Sequence, residues 1–249
     1  MSLSIELMLL GVFTLFYIIV VFIIGFIIIL RYFQVGNRIF LYTGIGFMGI
    51  AFPWLGVALN FITTVFFGVV PPMELHFFLH GGFSAIFLFF WLMAILNLSG
   101  IKPQKREKYL TIIGIIAFIV EILYLSLIFY DTTILGVLIN EIQVDYALFS
   151  EIYLIFEMII ILISGFWLAI KSLKLDDKRI RLKGKLLFSG FLLFPLATAL
   201  EILVPFIPII ILARILVIIT MLLVYGGLIL PKWMEKLFLR KKNFENSRK

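Results

Sequence analysis

The chain has 249 residues, 63% of them hydrophobic and 14% charged, with a mean hydropathy of +1.20. A soluble domain carries about a quarter charged residues, so ordinary soluble, disordered and fibrous proteins are excluded. The absence of cysteine removes disulfides, cysteine-held zinc, iron–sulfur clusters and a thiol nucleophile, and the net charge of +7 follows from membrane topology, with no nucleic acid implied.

A helix that crosses a bilayer needs about 20 apolar residues. Runs of that length predict seven helices, at 7–30, 39–62, 75–98, 110–130, 147–170, 186–204 and 209–230. The fold class is therefore all-α: a polytopic seven-transmembrane-helix bundle over 1–231, followed by a basic tail at 232–249. The first run lacks a basic leader and is too long for a signal peptide, so it reads as a retained span. After the second run, the apolar stretch 63–70 ends at Pro71-Pro72 and reads as a re-entrant or interfacial piece. Between the fourth and fifth, 131–146 holds Ile134, Leu135, Val137, Leu138 and Ile139 and reads as a segment on the membrane surface. The tail sets Trp233, Leu237 and Phe238 among lysines and arginines. That pattern suits a short interfacial helix on the anionic lipids of the inner leaflet.

Basic residues orient the bundle. Arg31 and Arg38 flank the first loop, and Lys102, Lys105, Arg106 and Lys108 lie in the third. Seven more fall between 171 and 185 and seven in the tail, so Arg214 is the one exception among 21. All the others share one side of a seven-span arrangement, which the positive-inside rule makes cytoplasmic. The expected topology is N-terminus outside and C-terminus inside, in the cell membrane. The charged residues expected in the outer loops, Glu74, Asp131, Glu141 and Asp145, are all acids.

Polar residues within a span face the bundle or a cavity, and helical spacing groups them. In the second helix Tyr42, Gly46, Gly49, Pro53, Gly56 and Asn60 form one stripe, read as close packing through small residues with a kink at Pro53. His76, His80, Ser84 and Trp91 share a face of the third, and Thr111, Gly114, Glu121 and Tyr124 of the fourth. Tyr146, Ser150, Tyr153, Glu157 and Ser164 share a face of the fifth. At about 1.5 Å of rise per residue, Glu121 and Glu157 stand roughly 17 and 20 Å above the inner ends of their helices, and Glu201 and Arg214 about 22 and 24 Å. The polar residues gather near the midplane and in the outer half, which predicts an outward-facing polar pocket closed below by Phe, Leu and Ile.

Several chemistries can be weighed against these residues. Retinal needs a lysine within the bundle, and every lysine lies in an inner loop or the tail. His76 and His80, at i and i+4, could present two imidazoles to a divalent metal, but a catalytic zinc takes three protein ligands. No Gly-x-Ser-x-Gly and no glycine-rich phosphate loop occurs. Glu201 and Arg214 flank the tight corner Pro205-Phe206-Ile207-Pro208 and are expected to pair. Glu121 and Glu157, with Tyr124 and Tyr153 one turn outward, are expected to meet as the floor of the pocket. Asn60 completes the set of candidate ligand-binding residues with these four, Arg214 and Glu201.

The seventh helix closes with Tyr225-Gly226-Gly227-Leu228-Ile229-Leu230-Pro231-Lys232-Trp233. This ending, after seven aliphatic-rich spans, resembles the seven-helix sensor region that precedes the kinase core in some prokaryotic membrane histidine kinases. No kinase core follows it in this chain. The resemblance implies a sensor-like module that signals through a partner protein, and the isoleucine-rich composition points to a prokaryote. Three readings are open: a non-enzymatic receptor or sensor for a small molecule or lipid, a small transporter or proton-coupled carrier using the midplane glutamates, and a metal-dependent membrane hydrolase using His76 and His80.

Overall fold

The computed structural model describes residues 3–203 and 207–246, with side chains at 3–200 and 208–239. Seven stretches are long and apolar enough to cross a membrane, and the protein is a multi-pass membrane protein. In order they are α1 (Ile5–Val35), α2 (Arg38–Gly49) with α3 (Leu55–Phe67), α4 (Met73–Gly81) with α5 (Ser84–Leu98), α6 (Pro103–Tyr130), α7 (Leu148–Leu173), α8 (Lys178–Leu203) and α9 (Ile207–Ile229). A final helix, α10 (Lys232–Asn246), follows, and two short strands, β1 (Gly136–Leu138) and β2 (Val144–Tyr146), pair as a hairpin between α6 and α7.

The helix ends follow from local chemistry. Ser4 caps α1 by accepting from the Leu7 amide, and Gly36 stops it with φ 71°, a conformation glycine adopts without a Cβ clash. Asn37 caps α2 through the Ile39 amide. Asp177 accepts from the Arg179 and Ile180 amides at 2.7 and 3.0 Å and starts α8. These contacts hold its carboxyl below the usual aspartate range.

Two spans are interrupted. Pro53 lacks an amide hydrogen, and between α2 and α3 the chain runs through a 3₁₀ turn, Phe52–Trp54. In the third span α4 ends at Gly81, and the chain passes Gly82 and Phe83 before α5 begins. The sequence reading expected one continuous helix over 75–98, and the structure interrupts it at Gly82 and Phe83. The two broken spans lie side by side, with α2 on α5 and α3 on α4. The close packing expected of the second span's small residues is seen here. A Cβ on Gly46 would stand 2.6 Å from the Trp91 backbone, and one on Gly56 would stand 2.8 Å from His76.

The main apolar core joins α1, α2, α5, α8 and α9 around Tyr17, Val21, Phe47, Trp91, Phe191 and Met221. Trp91 is almost fully buried and donates its indole N–H to Ser164 of α7 at 2.9 Å. In contrast, α6 and α7 turn Phe118, Ile119, Phe156 and Ile163 outward, which suits a lipid surround. Although consecutive, they do not pack along their lengths: α6 rests on α5, while α7 rests on α8 and α5 and adds Leu168 and Ala169 to the core.

One further expectation changes, and a second segment takes a definite form. Residues 63–67 are the last turn of α3, which Gly68 stops in the left-handed region, so the stretch is neither re-entrant nor a separate interfacial piece. Residues 131–146 form the hairpin. Leu135 and Ile142 are wholly buried in it and Val144 nearly so, because these three plug the end of the bundle, while Val137, Leu138 and Ile139 stay exposed.

Candidate functional site

The site is built on the break in the third span. A helix N-terminus leaves its first amides without intrahelical partners, and α5 starts at Ser84 with no side-chain cap. Glu121 of α6 brings its carboxyl to the Ala85 and Ile86 amides. Glu157 of α7 lies beside Ser84 and Tyr153, close enough to Glu121 for the two acids to act on each other. A helix N-terminus is a favourable place for a carboxylate, but two such charges together in a low dielectric are costly.

Two tyrosines close the cluster. The Tyr124 and Tyr153 rings stack at 5.0 Å. The Tyr124 hydroxyl reaches the helix break, where a Cβ on Gly81 would stand 2.5 Å from it. Glu121, Glu157, Tyr124 and Ser84 are all buried, at 4%, 8%, 1% and 4% exposure. Both carboxyl oxygens of Glu121, Oε1 of Glu157, the Ser84 hydroxyl and both phenols complete no hydrogen bond of standard geometry among the described residues. Protein interiors pair about nine in ten of their buried polar groups, so this concentration marks the place apart. The structure thus brings together four of the residues singled out from the sequence and adds Ser84, which the sequence had grouped only with His76, His80 and Trp91 on one face of the third span.

The hairpin covers this cluster at the end of the bundle far from the basic loops. Leu135 carbonyl accepts from the Ala147 amide and from Ser150 Oγ, which seats the hairpin on α7. Phe77, Tyr124, Ile128, Leu135 and Val144 form a second core there. Asp131 opens the hairpin by accepting from the Thr133 amide at 2.9 Å, which holds its carboxyl low. The open outward pocket expected from the sequence is therefore roofed.

The remaining candidates lie elsewhere. Asn60 is buried and donates to the Ile142 carbonyl at 3.4 Å, so it helps seat the hairpin. His80 donates from Nδ1 to the Pro53 carbonyl, and the Tyr146 hydroxyl lies 3.2 Å from the same nitrogen. Its ring stacks on Tyr146 at 4.4 Å and on His76 at 5.9 Å. The histidines thus join the two helix breaks to the hairpin. Among the described residues no group of three or more His, Asp or Glu converges as a metal site. Arg214 is buried with its guanidinium 5.2 Å from the Trp54 ring centroid, beside the break in the second span. The Glu201 side chain lies outside the described residues, and so does its expected pairing with Arg214.

On the basic side of the cluster, a groove of about 460 Å³ runs between α5 and α6, lined by Phe89, Leu110, Thr111, Gly114, Ile115 and Phe118. Thr111, Gly114, Phe118 and Glu121 recur at helical spacing, so the groove lies along the α6 stripe that carries Glu121. No family model, curated protein or solved structure matches the chain.

Proposed function

We propose that this protein is a non-enzymatic seven-span receptor or sensor whose ligand is recognised at the cluster of Glu121, Glu157, Ser84, Tyr124 and Tyr153. One observation carries the reading. Three elements direct polar side chains to one buried place, and those side chains do not satisfy one another. Leaving a buried polar group unpaired costs about 1–3 kcal/mol, and a guest of complementary polarity or charge offsets that cost. In this reading the basic end is cytoplasmic, the hairpin end faces outward in the cell membrane, and α10 rests on anionic inner-leaflet lipids. A protein partner there receives the signal, as the likeness to histidine-kinase sensor regions suggests.

The test is a thermal-unfolding screen of the purified protein in detergent against small polar and amphiphilic compounds, run in parallel on Glu121→Gln/Glu157→Gln. A ligand at one hundred times its Kd stabilises the wild type by about 2.7 kcal/mol and leaves the double variant unmoved. Ligands that stabilise both proteins equally refute the assignment.

A second reading, a proton-coupled carrier, draws on the two interrupted spans. Carriers commonly hold substrates and ions at discontinuous helices near the midplane. Substrate uptake by proteoliposomes, driven by a pH gradient and abolished by Glu157→Gln, would favour it over a receptor.

A further inference from the structure

The cluster is covered by the hairpin at one end, while the groove between α5 and α6 opens sideways from the bundle on the other. The groove's α6 wall is a single stripe. Where that stripe carries Glu121 and Tyr124 it is covered by α7, through Tyr124 on Tyr153. Farther toward the basic end α7 no longer packs on α6, and Phe118 is 66% exposed. Gly114 lies seven residues from Glu121, about 10 Å along the helix. A body in the groove therefore lies within about two helical turns of the acids.

The charge at that end is one-signed. Among the described residues, the groups bearing on Glu121 and Glu157 are the α5 amides, Ser84, Tyr153 and the other acid, with no basic residue among them. The buried cation of the bundle, Arg214, sits instead over Trp54. Ser84 Oγ and the Tyr124 hydroxyl, both more than nine-tenths buried, reach the same place and complete no hydrogen bond of standard geometry among the described residues. A small inorganic cation would have to give up a tightly held water shell and pass the hairpin. A cation with its charge spread over an apolar body loses little hydration, partitions into the bilayer, and is attracted by aromatic faces such as Phe89 and Phe118.

Taking the cluster as a ligand site, we propose that the α5–α6 groove is its lateral entrance from the bilayer and that the ligand is a lipophilic organic cation. The apolar body lies along Phe89, Gly114 and Phe118, and the positive charge lies against Glu121 and Glu157.

Two measurements on the full chain in lipid nanodiscs test this. The first is equilibrium binding of tetraphenylphosphonium, with neutral triphenylphosphine oxide and anionic tetraphenylborate as controls. The second is mass-spectrometric mapping of carboxyl labelling by dicyclohexylcarbodiimide, which travels through the bilayer, against a water-soluble carbodiimide. The expected result is saturable binding of the cation alone, weakened at least tenfold in Glu157→Gln and in Gly114→Phe, which fills the groove. Glu121 or Glu157 is labelled by the lipid-soluble reagent only, and tetraphenylphosphonium protects it. Labelling without cation binding or protection overturns the ligand class and means a lipid chain occupies the groove. The absence of both labelling and binding overturns the entrance itself. In both cases the receptor reading still stands or falls on the separate stability screen, because a water-borne ligand that stabilises the wild type but not the double glutamine variant would support it without the groove.

Discussion

On one side of the bundle α9 buries half of its most apolar stretch against its neighbours, while on the other α6 and α7 bury 17% each. The first region is filled by side chains such as Phe191, Val217 and Met221 that have no polar atoms to satisfy. The second holds Glu121, Glu157, Tyr124 and Ser84 at a helix break. In a bilayer, lipid replaces water as the alternative surround, so helix association depends on close contact more than on escape from solvent. The well-packed side therefore sets the stability of the bundle. The thin side is free to carry groups that a stability-optimised core would exclude, and those groups are candidates for function.

The largest expected effect tests that division directly. Phe191 is 2% exposed and meets the Trp91 and Phe166 rings edge-on or tilted. Truncation to alanine leaves a cavity and should cost about 3–5 kcal/mol. Tyr124→Phe removes a hydroxyl that completes no standard hydrogen bond and keeps the ring, so it should change stability by less than about 1 kcal/mol. Unfolding in mixed micelles measures both. Similar losses for the two variants would end the distinction between a structural side and a functional one.

A middle-sized effect is expected where the two regions meet. A Cβ on Gly81 would stand 2.5 Å from the Tyr124 hydroxyl. Gly81→Ala must therefore push the ring off the helix break, an overpacking that costs about 1–3 kcal/mol. Combining it with Tyr124→Ala removes the clash, so the double variant should lose less than the sum of the single losses, as expected for residues in contact. Strict additivity would place Tyr124 away from the break.

The seven spans were legible because their apolar runs match the bilayer, and the grouping of Glu121, Tyr124, Tyr153 and Glu157 because three- and four-residue steps define a helix face. The break at Gly82 and Phe83 was not. The apolar run continues across it, and Gly81-Gly82 is a pattern that membrane helices also use for packing. Ser84 after a glycine pair is a helix-start signal that the surrounding phenylalanines masked. The hairpin was missed for a related reason. Leu135 and Ile142 are apolar because they plug the bundle, and hydropathy alone does not separate a plug from a segment lying on lipid. Asn140, which accepts from the Ile142 and Gln143 amides, was the turn residue that could have revealed it.

The smallest expected effect lies at the basic end, outside both regions, and sharpens the comparison by setting its baseline. Asp177 is fully exposed and caps α8 through the Arg179 and Ile180 amides. Those contacts favour the ionised carboxyl, so its pKa in the folded protein lies below the ordinary value of 3.8. For an acid depressed in this way, the stabilisation is fully present above the unfolded value and is lost as pH falls through the folded one. Asp177→Ala removes the cap at every pH. Hydrogen-exchange protection, corrected for the intrinsic rate, should therefore fall at residues 179–181 in the variant at neutral pH. In the wild type it should fall there only below about pH 4. The hairpin amides at 142–147 should keep their protection in both, because among the described residues that segment packs on α7 and not substantially on α8. Loss of protection at the hairpin on removing this cap would show that the two ends of the bundle are coupled, and the packed side would then no longer be an independent scaffold.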